Sequence, residues 1–108
     1  MYRAVIAGYS RSPFAMARKG ELIDIKPVNL LAEVIKDLVT KSKVNPNDIE
    51  DIIVGCAFQV GEQCFNIGKL VTFLTGMDIK TSGMTVDRWC GSSMEGIHIA
   101  AGKIAMGS

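Results

Sequence analysis

Short apolar runs alternate with helix-like segments along the whole chain. Each run has the length of a typical strand, and each segment that follows is long enough for two or more helical turns. Because strands that alternate with helices favour a mostly parallel sheet covered by helices, the pattern predicts an α/β fold with the order strand, helix, strand, helix, strand, helix. The predicted strands are residues 3–9 (RAVIAGY), 52–57 (IIVGCA) and 81–86 (TSGMTV), and the predicted helices are residues 27–40, 66–74 and 91–106.

The first and last helical segments differ in the burial that they require. In residues 27–40, apolar side chains recur every three or four positions with charged ones between them, so we expect an amphipathic helix that begins near a proline. Residues 91–106 carry only Glu95, His98 and Lys103 as strongly polar side chains, and we expect that helix to be buried on most sides. The first strand, the first helix and the second strand are expected to form a right-handed crossover unit.

Composition limits the size and the partners of the protein. The chain has 108 residues, of which 48% are hydrophobic and 21% charged, which is typical of one globular domain. Its net charge of +1 and the absence of a Lys or Arg cluster argue against binding to nucleic acid or to an anionic membrane. No apolar run approaches the length of a membrane span, and the first 14 residues do not resemble a signal peptide, so a cytoplasmic location is expected.

The three cysteines, Cys56, Cys64 and Cys90, do not suggest a disulfide framework or a metal site. They are odd in number and contain no C-x-x-C pair, so no zinc site is predicted and at least one thiol should stay free. Cys56 falls within a predicted strand and is expected to pack as a small apolar residue. Cys64 falls in a polar loop, where a structural or incidental role is expected.

Cys90 lies where the third predicted strand gives way to the third predicted helix. Unpaired backbone N–H groups and the positive end of the helix dipole would favour its thiolate form. Gly91, which has no side chain, would let a substrate carbonyl approach the backbone, where N–H groups can hold an oxyanion. Position alone fits a catalytic nucleophile and a buried structural cysteine equally well.

Several motifs resemble the N-terminal portion of a thiolase, the family of acetyl-CoA acetyltransferases and 3-ketoacyl-CoA thiolases. The resemblance covers all 108 residues, and its most specific part is the stretch VDRWCGSSM around Cys90. Further motifs are RSPF after the first strand (residues 11–14), DIIVG leading to QVG (residues 51–55 and 59–61), and Asn66 with Lys69 in the second helix.

The resemblance implies an acyltransferase. In the family, the cysteine that matches Cys90 takes an acyl group from a coenzyme A thioester and passes it to coenzyme A or to a second thioester. Coenzyme A is then a substrate, and no cofactor or metal is implied. Family members are several times longer and form a five-layered αβαβα sandwich from two similar halves, so residues 1–108 correspond to an incomplete N-terminal domain.

The rest of the family's site has no match in this chain. The activating histidine and a second cysteine come from the later half of family members, so a complementary thiolase chain or the missing half is needed. His98 cannot replace that histidine, because eight helical positions from Cys90 amount to about 12 Å along the axis. The family also implies a homo-oligomer in which the strand of residues 81–86 meets its counterpart.

Two residues near Cys90 depart from the residues that the family usually has. Asp87 stands where the family more often has Asn, and Ser93 where many members have Gly, although the Cys-Gly-Ser-Ser-Met form resembles the branch that degrades fatty acids.

One alternative is a segment of a ketoacyl synthase or hydroxymethylglutaryl-CoA synthase, which share the fold. The other is a non-catalytic fragment that binds a thiolase-like partner through an open sheet edge and its apolar last helix.

Overall fold

The computed structural model describes residues 1–108 and contains three α-helices and two β-strands. In chain order these are α1 (Pro27–Ser42), β1 (Asp51–Gly55), α2 (Ile67–Leu74), β2 (Ser82–Val86) and α3 (Ser92–Met106). Strands β1 and β2 pair in parallel, with Asp51 opposite Ser82 and Gly55 opposite Val86. Single 3-10 turns precede β1 at Pro46–Asp48 and α2 at Gly61–Gln63. The predicted α/β class with a parallel sheet is confirmed, and each of these five elements lies within two residues of its predicted bounds.

Helix α1 begins and ends where its sequence directs. Pro27 occupies the start of the helix, where a missing N–H costs nothing because that group would have no partner. The helix ends at Ser42, two residues beyond the prediction, because Lys43 adopts the left-handed conformation with φ of 56° and its N–H bonds to the Thr40 carbonyl. Ala32 is the buried residue of this helix, and α1 packs on α2.

Helix α2 lies against β2 at backbone distance. A Cβ added at Gly83 would come 2.5 Å from the Gly68 carbonyl carbon, and one added at Gly68 would come 2.6 Å from the Met84 carbonyl carbon. Asn66 caps the helix: its side chain accepts a hydrogen bond from the Lys69 N–H and donates one of 2.8 Å to the Gly83 carbonyl. The start of α2 is therefore fixed on the sheet by two glycines and one amide side chain.

Helix α3 runs antiparallel to β1. Alternate residues of a strand share one face, and those of β1 meet α3 in reverse order. Gly55 lies against Ser93, and Ile53 lies against Gly96, where a Cβ would be 3.3 Å from the Ile53 side chain. At the far end Lys103 pairs with Asp51. Helix α3 consequently starts beside the carboxyl end of β1, and the residues just before it lie at that end of the sheet.

The predicted first strand, residues 3–9, is wrong. This segment has no strand partner, and its side chains Val5 and Ile6 are 75% and 83% exposed. It lies beside the C-terminal parts of two helices, since the Tyr2 N–H bonds to the Ala105 carbonyl and the Ser10 hydroxyl bonds to Asp37. The side of a helix offers no ladder of backbone groups, so the segment remains unpaired. The observed crossover unit is β1, α2 and β2 instead of the one expected from the first strand.

Much of the apolar surface of this chain is uncovered. Its accessible surface is 8137 Å², whereas a compact monomer of this size exposes about 5,900 Å². The expectation that α3 is buried on most sides is also wrong for this chain: Ser92 and Gly96 are its buried residues, while Met94, Ile97 and Ile104 are exposed. The described elements cover one side of the helix only. None of the helices has the length and apolarity needed to cross a membrane.

Candidate active site

The turn between β2 and α3, residues 87–91, carries Cys90. The Gly91 N–H donates to the Arg88 carbonyl at 2.9 Å, and the Ser92 N–H donates to the Trp89 carbonyl at 3.2 Å. Trp89 itself has φ of 48°, which is uncommon for a residue with a Cβ. The Asp87 carboxylate accepts a 2.9 Å hydrogen bond from the Trp89 N–H. A tight, hydrogen-bonded turn thus places Cys90 one residue before the N-terminal cap of α3.

The Ser92 side chain is buried inside this turn. Its hydroxyl donates a 2.6 Å hydrogen bond to the Trp89 carbonyl and accepts one of 2.8 Å from the Arg88 N–H. Sequence reasoning treated Ser92 only as a small residue beside Cys90 and missed this role. The available signal was its position: a serine at the start of a helix commonly bonds to nearby backbone groups.

Cys90 is exposed, and its surroundings offer backbone donors but no side-chain base. The sulfur makes no hydrogen bond with a side chain, and the cysteine is free. The N–H groups of Gly91 and Ser92 are used within the turn, whereas those of Cys90, Ser93 and Met94 bond to no acceptor. Unpaired N–H groups at a helix N-terminus attract negative charge, so the site can hold an oxyanion.

The other cysteines lie elsewhere. Strand β1 ends one residue before Cys56, which was predicted to lie within the strand. Cys56 is buried, and its N–H bonds to the Val86 carbonyl at 2.9 Å. Cys64 is partly buried at the end of the second 3-10 turn, and no hydrogen bond joins it to Cys90. Only Cys90 combines exposure with a helix start.

His98, the single histidine, is exposed in the middle of α3 and makes no hydrogen bond. One helix separates it from Cys90 by more than two turns, so it does not reach the thiol. Its place agrees with the expectation that it is not the activating base. The only charged pair beside the turn is Arg88 with Glu95, joined at 3.4 Å, and the Arg88 side chain is largely exposed.

Exposed aromatic and aliphatic side chains follow the carboxyl ends of both strands. The loop after β1 contributes Phe58, Val60 and Phe65, and the turn after β2 contributes Trp89, all more than half exposed. Ligands of open α/β sheets bind at the carboxyl ends of the strands. The candidate site therefore lies at the expected edge of the sheet, with apolar side chains available for contact.

A groove of about 780 Å³ runs along the opposite part of α3 and does not include Cys90. Asp51 and Lys103 form its polar end, and Ile53, Gly96 and Ile97 form its apolar part. Burial acts to raise the pKa of Asp51, but hydrogen bonds from Lys103 and Ser82, together with the charge of Lys103, hold that pKa below its usual value. This pair links β1 to α3 and stands apart from the thiol.

Solved structures share this arrangement of helices and strands. The crystal structure of the Bacillus anthracis acetyl-CoA acetyltransferase matches with a TM-score of 0.90 and 29% identity, over 99% of this chain and 27% of that one. A thiolase from Ascaris suum, solved in complex with coenzyme A, matches with a TM-score of 0.84 and 28% identity, over 91% of this chain and 25% of that one. The chain therefore has the fold of one part of the thiolases.

The family model described as "Thiolase, N-terminal domain" matches residues 4–108. The chain belongs to the thiolase family. Curated relatives include a 3-ketoacyl-CoA thiolase of Shewanella frigidimarina, 39% identical over 108 residues, and one of Acinetobacter baumannii, 39% identical over 101 residues. These alignments cover 99% and 94% of this chain but 28% and 26% of the relatives. The chain thus spans little more than a quarter of the relatives' length.

Proposed function

We propose that this chain is the nucleophile-bearing segment of a thiolase-type acyltransferase, with Cys90 as the residue that accepts the acyl group. The observation that carries the proposal is the position of Cys90. It is an exposed thiol next to a helix N-terminus where the N–H groups of Cys90, Ser93 and Met94 have no acceptor. Family membership supports the assignment of this chemistry to the chain.

The first half-reaction would transfer the acyl group to the protein. The Cys90 thiolate attacks the thioester carbonyl of an acyl-CoA, and the carbonyl electron pair moves onto oxygen, where a free N–H group stabilises it. Collapse of this oxyanion breaks the bond to sulfur of coenzyme A, which leaves as its thiolate and takes a proton. In the second half-reaction the acyl group passes from Cys90 to coenzyme A or to a second coenzyme A thioester.

Efficient turnover needs groups that this chain does not bring to Cys90. A base that takes the thiol proton must lie within about 3 Å, and the structure places no titratable side chain in a hydrogen bond with the sulfur. The solvent exposure of Cys90 also works against acyl transfer, because water competes for the acyl group. We therefore infer that the chain alone is nearly inactive and that the family's longer sequence, or a complementary chain, supplies the remainder.

We also propose the substrates, the cellular location and the oligomeric state of the protein. Curated relatives named 3-ketoacyl-CoA thiolase support coenzyme A thioesters of the fatty-acid-degrading type as substrates, with coenzyme A itself as a substrate and not a resident cofactor. The same names favour thiolase chemistry over that of the ketoacyl synthases. We also propose a cytoplasmic location and a homo-oligomer, the second because the resemblance to the thiolase family implies it.

A non-catalytic interaction fragment is the second candidate function. It is favoured by one observation, the accessible surface of 8137 Å², which exceeds that of a compact monomer by about 2,200 Å². An area of that size is typical of a permanent interface. In this alternative Cys90 has no special reactivity.

Alkylation distinguishes the two candidates. The rate of iodoacetamide labelling at Cys90, mapped by peptide mass spectrometry at pH 7, is compared between the native chain and the same chain unfolded in urea. If the turn activates the thiol, the native rate exceeds the unfolded rate by about threefold or more, while buried Cys56 reacts more slowly in the native chain than in the unfolded one. A native Cys90 rate equal to or below its unfolded rate would support the interaction fragment.

A further inference from the structure

We propose that Ser92 is a positioning residue for Cys90, whose buried hydroxyl holds the turn that presents the thiol. This inference rests on the proposed role of Cys90 and adds a residue that acts through the backbone. Ser92 does not touch the reacting atoms in this arrangement. It bonds to the two residues that directly precede Cys90.

The hydroxyl of Ser92 closes the turn from the inside. Ser92 is 4% exposed, and its Oγ donates to the Trp89 carbonyl at 2.6 Å while accepting from the Arg88 N–H at 2.8 Å. The Trp89 carbonyl also accepts the Ser92 N–H at 3.2 Å. One side chain therefore satisfies a donor and an acceptor on consecutive residues, and it does so within the first turn of α3.

Trp89 depends on such support because of its backbone conformation. A left-handed φ of 48° is unfavourable for a residue with a Cβ and persists where neighbouring bonds enforce it. Two side chains provide those bonds: Asp87 accepts the Trp89 N–H on the exposed side, and Ser92 holds the carbonyl on the buried side. Loss of the exposed bond can be replaced by water, whereas loss of the buried one leaves the Arg88 N–H without an acceptor.

The consequence for Cys90 is geometric. The dihedral angles of Trp89 set the direction in which the chain enters Cys90, and hence where its unpaired N–H and its sulfur point. Without the Ser92 hydroxyl, only the Asp87 carboxylate and the Ser92 N–H still hold Trp89, so Trp89 returns more readily to a common conformation and the thiol loses its fixed relation to the start of α3. Electrostatic assistance by a helix N-terminus falls off within one turn, so a small displacement weakens it.

The test compares side chains that differ only by a hydroxyl. Ser92→Ala removes it, Ser92→Thr keeps it, and Ser92→Val matches the volume of Thr without it. Ser108→Ala is the control, because Ser108 lies beyond the far end of α3, is exposed and makes no side-chain hydrogen bond. Each full-length variant is measured for native and unfolded iodoacetamide rates at Cys90, for the pH profile of the native rate, and for helix content by circular dichroism.

The proposal predicts that Ser92→Ala lowers the native Cys90 rate at least threefold, to near the unfolded rate, and moves the pH profile toward that of the unfolded chain. Ser92→Thr should keep the wild-type rate and profile, while Ser108→Ala should change neither. If Ser92→Ala loses its helix content, the comparison of Ser92→Thr with Ser92→Val decides. A hydroxyl-free variant that retains both helix content and the wild-type profile would overturn the role of Ser92.

The role proposed for Cys90 itself would be contradicted by a different result. In that case Cys90 of the wild-type chain would be alkylated no faster in the native chain than in the unfolded chain. An enhancement that survives removal of the hydroxyl refutes only the positioning role. Amide hydrogen exchange adds an independent readout, since the Arg88 N–H should exchange faster in Ser92→Ala than in Ser108→Ala.

Discussion

Replacement of Gly55 by alanine should loosen the contact that sets the position of α3. A Cβ at residue 55 would lie 2.5 Å from the Ser92 carbonyl carbon and 2.7 Å from the Ser93 Cα, and both atoms belong to backbone. Ordinary carbon contacts need about 3.5 Å, so the start of α3 would have to retreat by roughly 1 Å. Overpacking of this kind costs about 1–3 kcal/mol in the free energy of unfolding.

The assay is urea unfolding of the full-length chain followed by circular dichroism, with Gly102→Ala as the matched control. Gly102 lies in α3, and no atom lies within 4 Å of a Cβ placed at that residue. An alanine in the helix should therefore stabilise the chain by about 0.5–1 kcal/mol. The same substitution is thus expected to change stability in opposite directions at two positions.

The native alkylation rate of Cys90 provides a second readout for Gly55→Ala. Because the contact lies at the first turn of α3, the rate should fall even in urea-free buffer, whereas Gly102→Ala should leave it unchanged. A Gly55→Ala chain that is as stable and as reactive as the wild type would refute the close packing of α3 on β1.

Two further substitutions test other links of the fold. Lys103→Met should lower the free energy of unfolding by about 1–2 kcal/mol at pH 6. This value lies between those typical of exposed and of buried ion pairs, because the pair with Asp51 is partly buried. Lys103 helps to hold the pKa of Asp51 below its ordinary value of 3.8. The stabilisation from this pair is therefore present above that value and is lost as the pH falls through the lower folded-state pKa. A Lys103→Met substitution that costs the same stability at pH 6 and at pH 2 would contradict this. Asn66→Ala should cost about 1–2 kcal/mol by removing the cap of α2 and the bond to Gly83, and an unchanged urea midpoint would count against that network.

Local sequence signals predicted the elements that local physics fixes. The helical spacing of residues 27–40 and the proline at its start gave α1, and the apolar runs gave both strands of the sheet within one residue at their starts. The end of α1 was missed by two residues, because the left-handed conformation of Lys43 is not evident from a lysine. Lysine has no special preference for that conformation, unlike glycine.

The wrong predictions concern partners that a short apolar run cannot reveal. Residues 3–9 have the composition of a strand, but a strand exists only where another backbone pairs with it. The apolar character of α3 likewise indicated burial, although β1 covers one face alone and leaves Met94, Ile97 and Ile104 exposed. Both errors have one physical cause: an apolar pattern shows that a segment can be buried, but it does not show whether another element covers it.

The candidate site was predictable in outline and not in detail. The transition from strand to helix at Cys90 follows from the residue pattern, and the structure places an exposed thiol there. The left-handed Trp89 and the bonds of the Ser92 hydroxyl depend on how one turn closes. Such bonds are specified by three-dimensional contacts over a few ångströms, which periodicity does not report.

An acyl-transfer assay tests directly whether Cys90 accepts the acyl group. The chain is incubated with acetyl-CoA, alone and with a separate chain that supplies the part of the Shewanella frigidimarina thiolase beyond the segment matched here, and any acetyl group is mapped by mass spectrometry. The first segment of that thiolase serves as the positive control for the mixture. We expect acetylation of Cys90 in the mixture, one released coenzyme A per acetyl group, and no acetylation of Cys90→Ala. Acetylation of another residue, or none where the positive control succeeds, would contradict it.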